Sequence, residues 1–219
     1  MRGIEIYTLY ERLWHWFQAA AILLLTVTGM EIHAPGGLRL FGFTTAVRVH
    51  EAVALFTIAN GFLALFTHLA TGAIRQYLPT PRDAFTQGAL QARYYLVGIF
   101  RGEAHPFARR PDKKLNVLQQ VTYLAILNLL LPTQVITGVL LWEAGRFPAL
   151  IERLGGLTSI ATVHVAAAWL FIAFIVMHVY LTTTGPTPLA HLKSMITGRE
   201  SATHAPTTHS PTLHPRADA

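Results

Sequence analysis

Four apolar stretches dominate this chain, and each is long enough to cross a lipid bilayer. They run from about Leu13 to Ile32, Ala46 to Ala70, Val117 to Trp142 and Thr158 to Thr183. A helix crossing the hydrocarbon region needs roughly 20 apolar residues. Hydrocarbon offers the backbone no water, so only helices and closed barrels can span it. The pattern therefore predicts an all-α membrane protein, a four-transmembrane-helix bundle. Only 13% of the 219 residues are charged, about half the share of a soluble domain. The first apolar run opens with LWHWFQ and lacks a basic flank and a small-residue cleavage site, so it reads as a span and not a cleaved signal.

The spans end where turn chemistry ends them. HAPGGL follows the first, and Thr183-Thr184-Gly185-Pro186 follows the fourth. Pro132 falls inside the third span, where it removes a backbone hydrogen bond and predicts a kink. Of the 17 lysines and arginines, 13 fall on one side of this four-span arrangement and 4 on the other. The positive-inside rule places both termini and the long second connection, residues 71–116, in the cytoplasm. Within that connection, DAFTQGALQARYYLVGIF at 83–100 mixes apolar and polar residues and reads as an interfacial helix on the cytoplasmic surface. Residues 1–200 thus form one membrane domain. The tail 201–219, rich in Pro, Ser, Thr and His, has no apolar run and reads as disordered.

The chain has no cysteine, which excludes disulfides, thiolate metal sites, cysteine-held iron–sulfur clusters and covalent c-type haem. It has 11 histidines, and several lie inside the spans. An ionisable residue within a membrane is expensive and points to function. His164 and His178 are fourteen residues apart, which places them on one helix face about 21 Å apart along the axis. His15 opens the first span and is level with His178; His50 opens the second and is level with His164. Two pairs at two depths suit bis-histidine ligation of two b-type haems. His68 shares a face with His50 but falls about 27 Å below it, so it is a second candidate for the inner position, a quinone contact or a haem-propionate contact. His33, His105 and His191 read as solvent-facing. Two other readings stay open: a histidine-relay proton channel or transporter, and a membrane anchor without haem.

The segments YERLWHW, RVHEAV, KLNVLQQVTYLAILNLLLPTQVITGVLLW and TVHVAAAWLFIAFIVMHVYLTTTG resemble the bacterial di-haem cytochrome b membrane subunits. These serve formate dehydrogenase, nickel–iron hydrogenase and thiosulfate-reductase-type complexes. The resemblance covers nearly all of residues 7–200. It implies that His15 and His178 hold an inner haem and His50 and His164 an outer one. It implies a quinone site beside the inner haem that uses Asn116, with Gln119 and Gln120 nearby. The side chain of Asn116 is equally a helix N-cap. Arg12, one turn before His15, would meet a haem propionate or snorkel to the interface. The implied partner is a periplasmic iron–sulfur or multihaem c-type subunit. The implied place is the bacterial inner membrane. The chain would carry electrons to or from quinone without itself converting the terminal substrate.

Overall fold

The computed structural model describes residues 4–79, 81–103, 106, 114–185 and 187–200, the side chains of 81–84 excepted. The tail 201–219 and His105 lie outside the described residues. Four helical segments are long and apolar enough to cross a membrane: α1 (Leu9–His33), α2 (Phe43–Ala70), the segment Val117–Trp142, and a last span Gly156–Thr182. Between the second and third lies a shorter helix, α3 (Pro81–Arg93). The third span comprises α4 (Val117–Ala125), a π-helical turn (Ile126–Leu130) and α5 (Leu131–Trp142). A one-and-a-half-turn helix, α6 (Pro148–Arg153), precedes the fourth span, which is α7. α8 (Ala190–Thr197) follows it.

The surface is apolar where the spans lie. Phe62, Phe66, Leu129 and Val176 are each about two-thirds exposed, whereas Thr28 and Glu31 are almost fully buried. A chain folding in water would reverse that distribution, so the exposed belt is a lipid-facing surface. α3 and the helical turns that continue it to Arg101 also have a bare apolar side, with Phe85, Leu96 and Phe100 exposed while Gln91 and Tyr94 are buried.

Pro132 is accommodated by a wider turn and not by a break. Its ring would press on the carbonyl four residues earlier. The π-helical turn at Ile126–Leu130 displaces that carbonyl, and such single wide turns are a known way to relieve a helix ladder.

The helices pair as two hairpins. α1 packs along α2 and α5 along α7, while α7 meets α1 only sparsely. The first hairpin is closed by Glu31. Its carboxylate accepts hydrogen bonds from the backbone N–H groups of Leu40, Phe41 and Gly42 at 2.7–3.2 Å. Gly42 is the N-cap of α2 and the other two donors lie in the turn that leads into it, where a negative charge is favoured. Midway down, Asn60 Nδ2 donates to Gln18 Oε1 at 2.8 Å and Trp14 Nε1 donates to the Asn60 carbonyl at 3.3 Å. These bonds join the two helices with groups that would be unpaired in lipid.

The two ends of the chain are tied together. Ile4–Glu5 and Arg199–Glu200 form a two-stranded antiparallel ribbon. Ile6 and Tyr7 N–H both donate to the Gly198 carbonyl. Gly198 has φ +80°, and a Cβ there would come within 2.7 Å of the Tyr7 carbonyl oxygen, so this position requires glycine. α8 is held against the start of α1 by Arg12 Nη1 and Trp16 Nε1, which donate to the Ile196 and Met195 carbonyls.

Because Glu31 sets the α1–α2 hairpin, Glu31→Ala is expected to leave three backbone N–H groups without their carboxylate partner and to cost about 1–3 kcal/mol. Glu31→Gln, which keeps one acceptor oxygen, should lose less. Thermal unfolding of the detergent-solubilised protein measures both.

Candidate functional site

The four histidines that the sequence places in pairs do meet as pairs. The ring centroids of His15 and His178 are 6.2 Å apart with planes inclined at 48°. Those of His50 and His164 are 6.4 Å apart at 69°. Each pair bridges the seam between the hairpins, with α7 supplying one ring to each. The fourteen-residue spacing on α7 keeps both rings on one face, and the antiparallel run of α1 and α2 brings one partner to each depth.

The His50 and His164 rings are backed by a device repeated in the two hairpins. Thr28 Oγ1 lies 2.9 Å from His50 Nδ1, and Thr137 Oγ1 lies 2.9 Å from His164 Nδ1. The next residue is glycine in both cases. A Cβ on Gly29 would come within 3.3 Å of His50 Cε1, and one on Gly138 within 3.2 Å of His164 Cε1. So Thr-Gly on α1 supports the ring on α2, and Thr-Gly on α5 supports the ring on α7. The signal was in the sequence as the matching steps Val27-Thr28-Gly29 and Ile136-Thr137-Gly138, facing Val49-His50 and Val163-His164. Gln134 Nε2 also reaches His164 Nε2 at 3.1 Å.

The His15–His178 end is built differently. His15 Nδ1 is buried with no hydrogen bond to the described residues. Phe174 stacks on His178 with centroids 5.7 Å apart at 26°. From Phe174 the ring contacts run through Tyr123 and Tyr77 to His68, with centroids 5.4–6.5 Å apart. His68 has both nitrogens engaged: Nδ1 lies 2.7 Å from the Ala64 carbonyl and Nε2 lies 3.2 Å from the Tyr77 hydroxyl. The carbonyl can only accept, so Nδ1 carries the proton and Nε2 accepts from Tyr77. His68 therefore stands apart from the facing rings of His15 and His178.

The other candidates are committed to local structure. Asn116 is buried and caps α4. Its Oδ1 accepts from Gln119 N–H at 2.9 Å, and Gln119 Oε1 accepts from Asn116 N–H at 3.0 Å, a reciprocal capping box. Asn116 Nδ2 also lies 3.3 Å from the Tyr95 hydroxyl. Gln120 Nε2 donates to the Gln76 carbonyl at 2.7 Å. Beyond its bond to Ile196, Arg12 keeps Nε buried with no hydrogen bond to the described residues. Lys114 makes a 2.6 Å ion pair with Glu11 over the ring of Tyr7. His33 is exposed as expected, but His191 is half-buried on α8, where its ring packs against Gly185. The position of α8 against the bundle, invisible from local sequence, accounts for that difference.

Burial pushes the Tyr77 phenol from its ordinary value of about 10 up to about 12, with Tyr123 and Glu11 adding to the rise. The folded state thus holds its proton after the unfolded chain has released it. Tyr77 should therefore reduce stability progressively as pH rises from about 10 to about 12. A phenolate absorbance titration should show a late step that Tyr77→Phe removes.

Sequence comparison adds a family. The sequence pattern of the prokaryotic cytochrome b561 family matches residues 6–198. A protein named as a cytochrome, YdhU, from Escherichia coli K12 is 34% identical over 204 residues, covering 89% of this chain and 74% of that one. One from Azospira oryzae named as a protein-methionine-sulfoxide reductase subunit, YedZ1, is 26% identical, covering 84% and 95%. One from Cupriavidus necator named as a Ni/Fe-hydrogenase B-type cytochrome subunit is 25% identical, covering 92% and 84%. With four bilayer-length helices and a family match across nearly its whole length, this chain is a multi-pass membrane protein of the prokaryotic cytochrome b561 family, a family that implies b-type haem.

Proposed function

We propose that the chain is a di-haem electron conduit, the membrane subunit of a respiratory oxidoreductase complex. The observation that carries this reading is the pair of facing imidazoles at each of two depths, 6.2 and 6.4 Å between centroids. A metal–imidazole bond is about 2 Å, and a ring centroid lies about 1 Å behind its nitrogen, so two rings sharing one ion stand roughly 6 Å apart. Among the described residues no three His, Asp or Glu side chains gather into a metal cluster. Two protein ligands per site suit an iron whose other positions are filled by a macrocycle.

In this reading His15 and His178 hold the inner haem, and His50 and His164 the outer one. Gly29 and Gly138 leave room for the outer rings to lie close to the neighbouring helix. Arg12, whose buried Nε one turn from His15 has no hydrogen bond among the described residues, is placed to meet a propionate. Haem supplies one-electron chemistry when bound; the chain fixes its ligands, its depth and its exclusion from water. About 21 Å of helix rise separates the two levels on α7, which carries charge most of the way across the hydrocarbon.

Quinone is the proposed exchangeable substrate at the inner end, beside Asn116, Gln119 and the His68–Tyr77 pair. Amide groups there can donate to a quinone carbonyl, and the buried Tyr77 phenol retains a proton. The excess of lysine and arginine on that side supports a cytoplasmic position for it and for both termini. The tied terminal ribbon is compatible with that, since both ends lie on one side. The apolar outer side of α3 supports an interfacial position for that helix. The outer partner is proposed as a periplasmic iron–sulfur or multihaem c-type subunit, in keeping with the hydrogenase and reductase subunits among the relatives. The membrane is then the bacterial inner membrane.

Purified protein should give reduced-minus-oxidised bands of low-spin haem b and close to two haems per chain. A flat spectrum overturns the reading. His164→Ala and His50→Ala should each remove the outer haem and about half of the total; His15→Ala and His178→Ala should remove the other half. Gly138→Val, which crowds His164, should lower outer haem occupancy while the inner haem remains. Asn116→Ala should slow quinone-dependent reoxidation with haem content retained, at a capping cost of about 1 kcal/mol.

A further inference from the structure

Each outer histidine meets a threonine whose own proton is already placed. Thr28 Oγ1 donates to the Leu24 carbonyl at 2.8 Å, and Thr137 Oγ1 donates to the Thr133 carbonyl at 2.6 Å. What each hydroxyl offers the ring is therefore a lone pair. An oxygen acceptor thus faces Nδ1 on each ring, so Nδ1 carries the hydrogen. Nε2 is then the unprotonated nitrogen of each ring. The contact at His164 agrees, because the Gln134 amide nitrogen, a donor, sits 3.1 Å from Nε2. The inner site lacks this arrangement on at least one side, since His15 Nδ1 has no hydrogen bond to the described residues.

We propose that Thr28 and Thr137 are positioning residues of the outer site: their hydroxyls fix both outer imidazoles as Nδ1–H tautomers and set the redox potential at that level alone. This rests on the outer pair holding haem, as proposed above. A hydrogen bond accepted from the far side of a ligating imidazole makes it a stronger donor to the metal. A stronger donor favours the oxidised ion, so the two threonines hold the outer potential down. The effect is separable from ligation, because valine fills the space of threonine but accepts no hydrogen bond.

The test is a spectroscopic redox titration of the full-length protein and its Thr28→Val, Thr137→Val and double variants. The outer haem is identified as the one missing from His164→Ala. Each valine should raise the outer midpoint potential, the double variant more than either, while the inner haem titrates as in the wild type. Thr28→Ser and Thr137→Ser should return the outer potential towards wild type. An unchanged outer potential in the double variant, or an equal shift of both haems, overturns the proposal. If a valine variant loses the outer haem, serine and alanine at that position decide. Haem regained with serine alone supports the proposal, and haem regained with alanine at the wild-type potential overturns it. A wild-type protein without haem instead sinks the electron-conduit reading, which keeps the two failures distinct.

Discussion

A polar group in hydrocarbon must find its partner within the protein, and this bundle is organised around that requirement. The least exposed side chains of the first span are Thr28 and Glu31, not leucines. Glu31 satisfies the open end of α2, Thr28 meets His50, and Gln18 meets Asn60. Each contact joins α1 to α2, so the register of that hairpin is set by hydrogen bonding more than by apolar packing, which lipid would supply equally well. The histidine rings inherit their positions from this register. A helix slid by one residue would move a ring about 1.5 Å in depth and rotate it about 100°, enough to turn it from the seam into lipid.

The spans and the depth-matched histidines were legible because both follow from counting. Hydrocarbon thickness fixes how many apolar residues a span needs, and a rise of 1.5 Å per residue converts sequence spacing into depth. The structure draws its spans within a few residues of those bounds. What counting cannot give is the direction of a side chain across a helix pair. Thr28 and Thr137 look like ordinary helix threonines until α2 and α7 are laid beside them. His68 looked eligible for the inner position by face, and only the return of the chain through Tyr77 shows both its nitrogens engaged. Arg12 faced an analogous ambiguity. Its one visible bond goes to the end of α8, a segment 184 residues later, whose placement no local pattern announces.

The two hairpins are related but not equivalent. At the outer level both contribute the same parts in the same order: Thr-Gly on the first helix of the hairpin and Val-His on the second. At the inner level the correspondence fails. α1 supplies His15, whereas the second hairpin supplies His178 from the same helix that already carries His164. α2 instead ends in His68, four residues beyond the position that matches His178, and this ring turns to Tyr77. The repeat thus builds one symmetric site and leaves the other end free to differ.

On the di-haem reading proposed above, that difference has a physical use. A conduit with two identical sites would have no built-in gradient, and the direction of transfer would be set entirely by its partners. Here the outer rings sit against oxygen acceptors, while the inner level adjoins a chain of aromatic and titratable groups: Phe174, Tyr123, Tyr77 and His68. Acceptors that enrich an imidazole act on electron affinity, whereas phenols and imidazoles at an interface handle protons. The asymmetry between the two ends would then divide the labour of a membrane redox subunit. On that reading the outer level would adjust the electron, and the inner level would couple it to protons where the chain meets the aqueous phase.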